Sequence, residues 1–347
     1  MNIRRLALLA VCMVLALAVL LTACPASAPT VPSGDRPQDI ELTILGFIVG
    51  TSFQMRADAI AEAIRLEYPD WTVTSIAPGG ESKLVSKRIA GEGDFFLTPY
   101  VRQLEIEVQA PLHPEIDYEQ VTAYNLVVPT APQYIHFFAL GKTGLTSIRD
   151  IVDRKYPFTV GVGPGGSRGQ LEKILEYYGT SLAEAESWGA KQEIVVVTTP
   201  AGVEALQSGR IDTGISWSGL PSPAYMGVTF DLKLLPVDDP GLVEMLKAIG
   251  YYEVTIPADT YPFLTEDVPA VASTSHLAVS PDMPEDIVYY VLKAVFNHKD
   301  MLIATQADFE DQLTAEAVAA SVAISQVTGI PFHPGALKFY REMGWIE

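Results

Sequence analysis

Hydrophobic positions along the chain fall into short blocks whose period changes regularly. Ile40 to Leu45 is a short β run closed by Gly46, and Ala57 to Leu66 carries apolar residues at helical spacing until Tyr68-Pro69. Trp71 to Ile76 predicts a strand, Gly79-Gly80 opens a helix from Ser82 to Ala90, and Asp94 to Leu97 predicts a third strand. Tyr134 to Leu140 (YIHFFAL) is an unbroken apolar strand, and the cycle then starts again. A helix over Ser147–Val152 and a strand over Phe158–Val162 lead into a Gly-rich turn and a helix over Gly169–Tyr178. Strand Glu193–Val197, helix Gly202–Ser208 and strand Ile211–Ile215 follow. Ala270 to Val279 is a second long apolar strand, and from Pro284 onward the pattern is helical. Strands regularly separated by helices predict a mostly parallel sheet with helices on both faces.

The doubled cycle predicts an α/β protein of two lobes joined by two extended crossing hinge strands, with the last helices returning to the first lobe. That is the layout of a type II periplasmic-binding-protein fold. Residues 38–138 plus 274–347 form lobe 1 in this reading, and 139–273 form lobe 2. In open α/β sheets the carboxyl ends of strands and the N-termini of helices face one crevice. Two such lobes set face to face enclose a guest, and crossing strands permit a hinge whose balance the guest shifts.

The N-terminus stands apart from this pattern. Arg4 and Arg5 precede an apolar run from Leu6 to Leu21, and Leu21-Thr22-Ala23-Cys24 follows. A basic start, an apolar stretch and small residues before a cut site make a secretory signal, here residues 1–23. The Leu-Thr-Ala-Cys end resembles the bacterial lipobox, which implies that Cys24 is acylated and anchors the mature chain to a membrane. Residues 24–37 are rich in Pro, Ala and Ser with no apolar period and read as a flexible tether. The other cysteine, Cys12, leaves with the signal, so neither a disulfide nor a thiolate metal site is available.

Charge narrows the partners. The chain carries 42 Asp and Glu against 23 Lys and Arg, a net charge of −19. Loss of the signal removes two arginines and no acid, which makes the mature chain more acidic still. Nucleic acid needs a basic footprint and is excluded as a partner; an anionic small molecule is not, because a local cluster of donors overrides net charge. The five histidines (His113, His136, His276, His298, His333) lie far apart, with no H-E-x-x-H, and no G-x-S-x-G elbow is present. The sequence therefore carries no catalytic constellation, and the chain reads as a receptor rather than an enzyme, without metal or cofactor.

Candidate chemistry sits at the Gly-rich turn. Gly161-x-Gly163-x-x-Gly166 satisfies a dinucleotide pattern, but the next strand ends in Thr198-Thr199 where a ribose-binding acid is needed. The alternative uses the same backbone: glycines allow close approach, and free N–H groups at a helix start make an anion site. Ser167 adds a hydroxyl, and Arg168 either adds a guanidinium suited to a carboxylate or points to solvent.

Several blocks keep one family order from about residue 42 to 340. They are Ile256-Pro257-Ala258-Asp259-Thr260-Tyr261-Pro262 with Glu266-Asp267-Val268-Pro269, Met283-Pro284-Glu285-Asp286-Ile287-Val288-Tyr289, and Pro331-Phe332-His333-Pro334-Gly335-Ala336 with Tyr340. Gly209-Arg210-Ile211-Asp212, Gly219-Leu220-Pro221-Ser222-Pro223-Ala224 and Gly163-Pro164-Gly165-Gly166-Ser167 also fit. On these residues the chain resembles a TAXI-family solute-binding subunit of a TRAP (tripartite ATP-independent periplasmic) transporter. The resemblance implies an exported receptor serving membrane permease subunits driven by an ion gradient, with ligands such as glutamate or 2-oxoglutarate.

Departures from the family fall where ligand is touched. Its Gly-Gly-Thr-Tyr-Tyr loop is Val49-Gly50-Thr51-Ser52-Phe53 here, so both phenols are lost. Ser-Val-Glu-Asn after the second Gly-Gly becomes Glu81-Ser82-Lys83-Leu84, the glutamine after the third strand is Pro99, and Pro-Asn-Pro is Pro221-Ser222-Pro223. These changes alter the hydrogen-bond inventory and point to a ligand unlike glutamate or a changed pose. The candidate ligand-binding residues are Thr51, Ser52, Phe53, Glu81 and Ser82 from lobe 1, with Gly166, Ser167, Arg168, Trp217, Ser218 and Gly219 from lobe 2. Trp217 either stacks on a flat part of the ligand or belongs to the core. Glu81 favours an amino group or a bound cation beside it. Tyr261 and His333, among prolines, are read as shaping loops.

Overall fold

The structure, a computed structural model, describes residues 36–98, 117, 123–163 and 166–347. The expected signal, Cys24, nearly all of the tether, Pro99 and His113 lie outside them. Lobe 1 is built on β1 (Glu41–Leu45), β2 (Thr72–Ile76) and β3 (Phe95–Thr98), which run parallel, with α1 (Ser52–Glu67) and α2 (Glu81–Ile89) in the connections. The chain then enters the long β4 (Asn125–Leu140) and α3 (Arg149–Asp153).

Lobe 2 repeats the plan with parallel β5 (Thr159–Val162), β6 (Lys191–Ile194) and β7 (Thr213–Ser218), linked by α4 (Gly166–Tyr177), α5 (Leu182–Glu186) and α6 (Pro200–Gln207). A short β8 (Leu232–Leu234), α7 (Pro240–Lys247) and β9 (Tyr252–Ile256) lead into the return strand β10 (Val268–Val279). One sheet path runs β2-β1-β3-β10-β4-β7-β5-β6, with β8 on β4 and β9 on β10. This is the two-lobed layout of a type II periplasmic binding protein, with β4 and β10 as its crossing strands.

Both crossing strands change partners near one level. β10 pairs antiparallel with β9 up to Ala272, then with β4 from Ala272 and with β3 from His276. β4 pairs with β10 over Asn125–Tyr134 and with β7 over Tyr134–Ala139. The sequence pattern starts β4 at Tyr134 because Pro129 and Pro132 interrupt it, and a proline donates nothing to a ladder. The strand absorbs them through register shifts at Ser275/His276 and Leu277/Ala278. Two hydroxyls stitch the irregular stretch: Thr130 Oγ1 donates to the Ser275 carbonyl and Ser275 Oγ to the Ala131 carbonyl, each at 3.0 Å.

Helices α8 (Glu285–Asn297), α9 (Lys299–Thr305), α10 (Phe309–Gln312), α11 (Ala315–Thr328) and α12 (Pro334–Glu342) return to lobe 1. Leu126 bridges to Phe332, the Tyr340 hydroxyl donates to the Val127 carbonyl at 2.6 Å, and the Tyr68 hydroxyl donates to the Tyr290 carbonyl at 3.1 Å. His333 caps α12: its Nδ1 accepts from the Gly335 N–H at 3.2 Å, which leaves Nε2–H to donate to the Met283 carbonyl at 2.9 Å. No helix among the described residues is long and apolar enough to cross a membrane.

A buried polar junction fixes the end of β7 to β4. His136 is wholly buried; one ring nitrogen, Nδ1, faces the Tyr134 carbonyl at 3.0 Å and the other, Nε2, the Tyr261 hydroxyl at 2.8 Å. A carbonyl only accepts, so Nδ1 carries the proton, and Nε2 accepts from Tyr261, whose oxygen accepts from the Ser222 N–H at 2.9 Å. Tyr261 thus shapes the turn after β7, as does His333 the start of α12. Burial pushes His136 down to about 4 and His276, in β10, to about 3.

A histidine whose folded value lies below its ordinary one contributes stability that is complete above about pH 6.5 and is lost as pH falls toward the folded value. For His136 the loss between pH 7 and pH 4.5 is about 2 kcal/mol. Urea titrations across that interval are expected to show His136→Gln, although destabilised at pH 7, losing about that much less than the parent on acidification. Equal losses would contradict the neutral, buried ring.

Candidate functional site

The helix starts of both lobes lie where strands end, and each has a local cause. Thr51 is the N-cap of α1: its Oγ1 accepts from the Gln54 N–H at 3.4 Å and donates to the Ile48 carbonyl at 2.7 Å. That cap starts the helix at Ser52, earlier than the apolar pattern from Ala57 suggests. Ser52 and Phe53 are half-buried in its first turn, and the Phe53 ring lies 5.8 Å from Phe47 and 5.8 Å from the Arg56 guanidinium carbon. Glu81 and Ser82 open α2 behind Gly79 and Gly80, whose φ values of 91° and 123° fall where a Cβ is disfavoured.

In lobe 2, α4 begins at Gly166 rather than Gly169, so Gly166, Ser167 and Arg168 form its first turn. Gly166 and Ser167 are buried and Arg168 is half-buried, with no hydrogen bond or ion pair among the described residues. Trp217, near the end of β7, fills the space above Gly166: a Cβ there would approach the indole Cη2 to 2.0 Å. Its Nε1–H donates to the Tyr251 hydroxyl at 3.1 Å, which also receives Gln170 Nε2 at 2.6 Å. Trp217 is half-buried and packs on the lobe 2 core. Strand β6 ends at Ile194, short of the expected Val197, and Thr199 instead caps α6 through the Gly202 N–H at 3.3 Å.

Ser218 and Gly219 carry the end of β7 to the other lobe. Ser218 Oγ sits 3.4 Å from His136 Nδ1. A Cβ on Gly219 would lie 3.2 Å from Asp308 Oδ2 and 3.6 Å from Arg56 Nη2, so this glycine allows lobe 2 to approach the ion pair of buried Arg56 with half-buried Asp308 in lobe 1. Arg56 is 0% exposed; one of its Nη2 hydrogens is taken by Asp308, while Nε and Nη1 have no hydrogen-bond partner among the described residues. Burial lowers its pKa, against the pull of Asp308.

Beside the pair, β4 presents Tyr134. Burial raises its phenol above the ordinary value, and Tyr252, Asp308 and Asp311 add to the rise. The Tyr252 hydroxyl meets Thr274 Oγ1 at 3.3 Å, just past the point where β10 changes partners. Sequence reasoning passed over Arg56, Asp308 and Tyr134 because no motif contains them. A signal existed nonetheless: Arg56 falls on the same helical stripe as the apolar Ala59, Ile60 and Ala63, where a charge needs a partner.

Elsewhere, a groove of about 440 Å³ lies on lobe 2 between α7 and β9, lined by Val237, Pro240, Val243 and Val254 with Glu244 and Glu253. None of the expected site residues borders it. No group of three metal-ligating side chains occurs among the described residues.

The packing at Gly166 carries a direct prediction. Gly166→Ala must displace the indole, and overpacking of this kind costs about 1–3 kcal/mol. A lower melting temperature and a shifted Trp emission are expected; an unchanged spectrum and melting point would contradict the contact.

Solved structures that this chain matches include the alkanesulfonate-binding protein SsuA from Xanthomonas axonopodis pv. citri bound to MOPS (14% identity, 90% of this chain and 86% of that chain, TM-score 0.44). A TctC solute-binding protein from Polaromonas matches with 16% identity over 87% of this chain and 99% of that chain, at a TM-score of 0.46. MatC from Rhodopseudomonas palustris with bound malate matches with 13% identity over 84% of this chain and 98% of that chain, at 0.49. Residues 109–344, more than half of the chain, match the NMT1-like family, and the chain belongs to that family.

Proposed function

We propose that this protein is an extracytoplasmic solute-binding lipoprotein that captures a small organic acid or amino acid between its lobes. It delivers that ligand to the permease subunits of a TRAP-type secondary transporter and performs no chemistry on it. The observation that carries the reading is the seam at Gly219: the end of a lobe 2 strand meets a buried guanidinium of lobe 1 that retains unused donors. A hinge of two shared strands lets such a seam open and close, and a ligand that binds the closed form better shifts the balance by that difference.

The TAXI blocks quoted above support the transporter class, and the lipobox supports a membrane anchor at Cys24. A binding protein for an ABC importer or a sensor kinase would have the same lobes. Genes for fused TRAP permease subunits beside this one would support the first partner. Genes for an importer ATPase would favour the second.

The test of the ligand class is a thermal-shift screen of the chain against carboxylates, amino acids, neutral sugars and amines, followed by calorimetry. Stabilisation by carboxylate-bearing compounds is expected, with one site per chain and the ligand recovered unchanged. Stabilisation by neutral or cationic compounds alone, or recovery of a converted product, would overturn the proposal.

A further inference from the structure

The groove on lobe 2 between α7 and β9 belongs to a part of the molecule that the seam does not use. Val237, Val243 and Ala270 line it as buried residues and Val254 as a half-buried one, while Asp238, Glu244 and Glu253 stand exposed around it. One cation serves this rim: Lys247 Nζ donates to Glu244 Oε1 at 2.8 Å and to Glu253 Oε1 at 3.2 Å. The groove is therefore apolar within and acidic at its margin, with three carboxylates against one ammonium.

Beside the groove, the outer edge of β9 carries backbone groups with no strand to pair with, and register together with one proline establishes which. Thr255 stands opposite Pro269. A proline has no N–H, and the Pro269 carbonyl accepts from the Val237 N–H at 2.9 Å on the far side of β10. Thr255 and Pro269 are thus a non-bonded pair, and in an antiparallel ladder such pairs alternate with bonded ones. The ladder bonds then belong to Tyr252, Val254 and Ile256, and the N–H and C=O groups of Glu253 and Thr255 point away from β10. β9 pairs with β10 alone, and no other segment among the described residues takes these groups. Side chains alternate as well: Val254 packs on the cluster of Phe138 and Tyr225, and Glu253 turns to the α7 side, where Lys247 meets it. Neither a proline within β9 nor a register shift interrupts this edge, two devices by which sheet edges are closed to partners.

We infer that the outer edge of β9 and the acidic groove beside it dock an extended segment of a partner protein by strand addition, with Lys or Arg of that segment beside Glu253 and Glu244. Backbone bonds to Glu253 and Thr255 supply the pairing, and opposite charges across adjacent strands supply register and selectivity. A second copy of the chain fits this surface less well, because it would bring the acidic rim against an identical one on chains of net charge −19. β9 pairs with β10 only up to Ala272, on the lobe 2 side of the crossing. Docking there requires no closure, and it stands apart from the solute and the transporter class proposed above.

The test uses the exported chain and a synthetic peptide of alternating Lys and Val, compared with its Glu–Val counterpart and with a version N-methylated at every amide. The Lys–Val peptide is expected to slow hydrogen exchange at the Glu253 and Thr255 amides. Fluorescence anisotropy is expected to show both control peptides binding at least about tenfold more weakly. Glu253→Lys is expected to weaken the Lys–Val peptide about tenfold and to leave solute binding in the cleft unchanged. Absence of protection at those two amides, equal binding of the N-methylated peptide, or equal protection by a free amine such as spermidine overturns the docking of a strand. Protection of the same amides by raised chain concentration alone, with a dimer in sedimentation, assigns the edge to a second copy and overturns it as well.

Discussion

The hydrogen-bond ladder between β4 and β10 is the constraint on which the molecule depends. Each lobe holds a parallel sheet of three strands, and each sheet is completed by one stretch of the same two antiparallel strands. The lobes cannot separate without breaking that ladder, and they cannot merge, because the strands change partners at Tyr134 and Ala272. What freedom remains is bending and twisting of two strands about their crossing. The irregular register and the prolines Pro129 and Pro132 lie in the stretch of this crossing where β4 pairs with β10.

The same arrangement places polar groups with unequal satisfaction. Many polar contacts are closed locally: Thr51 caps its helix, His333 caps another, and His136, Tyr261 and Ser222 complete a chain from β4 to the turn after β7, whereas Gln170 Oε1, Thr213 Oγ1 and Ser273 Oγ are buried without a hydrogen-bond partner among the described residues. Where the lobes meet, Gly219 approaches Arg56 Nη2, which is held by Asp308, while Arg56 Nε and Nη1 have no hydrogen-bond partner among the described residues.

Much of the architecture was legible from pattern alone. The strands β1, β2, β3, β5 and β7 and the return of the chain through Ala270–Val279 follow from apolar runs bounded by Gly and Pro. The first half of β4 was hidden by its prolines, and β8 and β9 by their shortness and mixed composition. Motif reasoning found the helix starts at Thr51, Glu81 and Gly166, and the structure adds what holds them locally. Thr51 is occupied as a cap, and Gly166 is glycine because Trp217 occupies its Cβ position. Arg56 and Asp308 are 252 residues apart, and no local pattern announces a pairing that exists only once the last helices fold back on α1.

The most direct measurement of the central claim is amide hydrogen exchange of the chain with and without the acid or amino acid that raises its melting temperature most. Closure about the shared strands predicts slowed exchange in both lobes at once, at Val49–Met55 and at Ser216–Leu220, with the outer faces of both sheets unaffected. Protection confined to one lobe, or to the groove between α7 and β9, would contradict it.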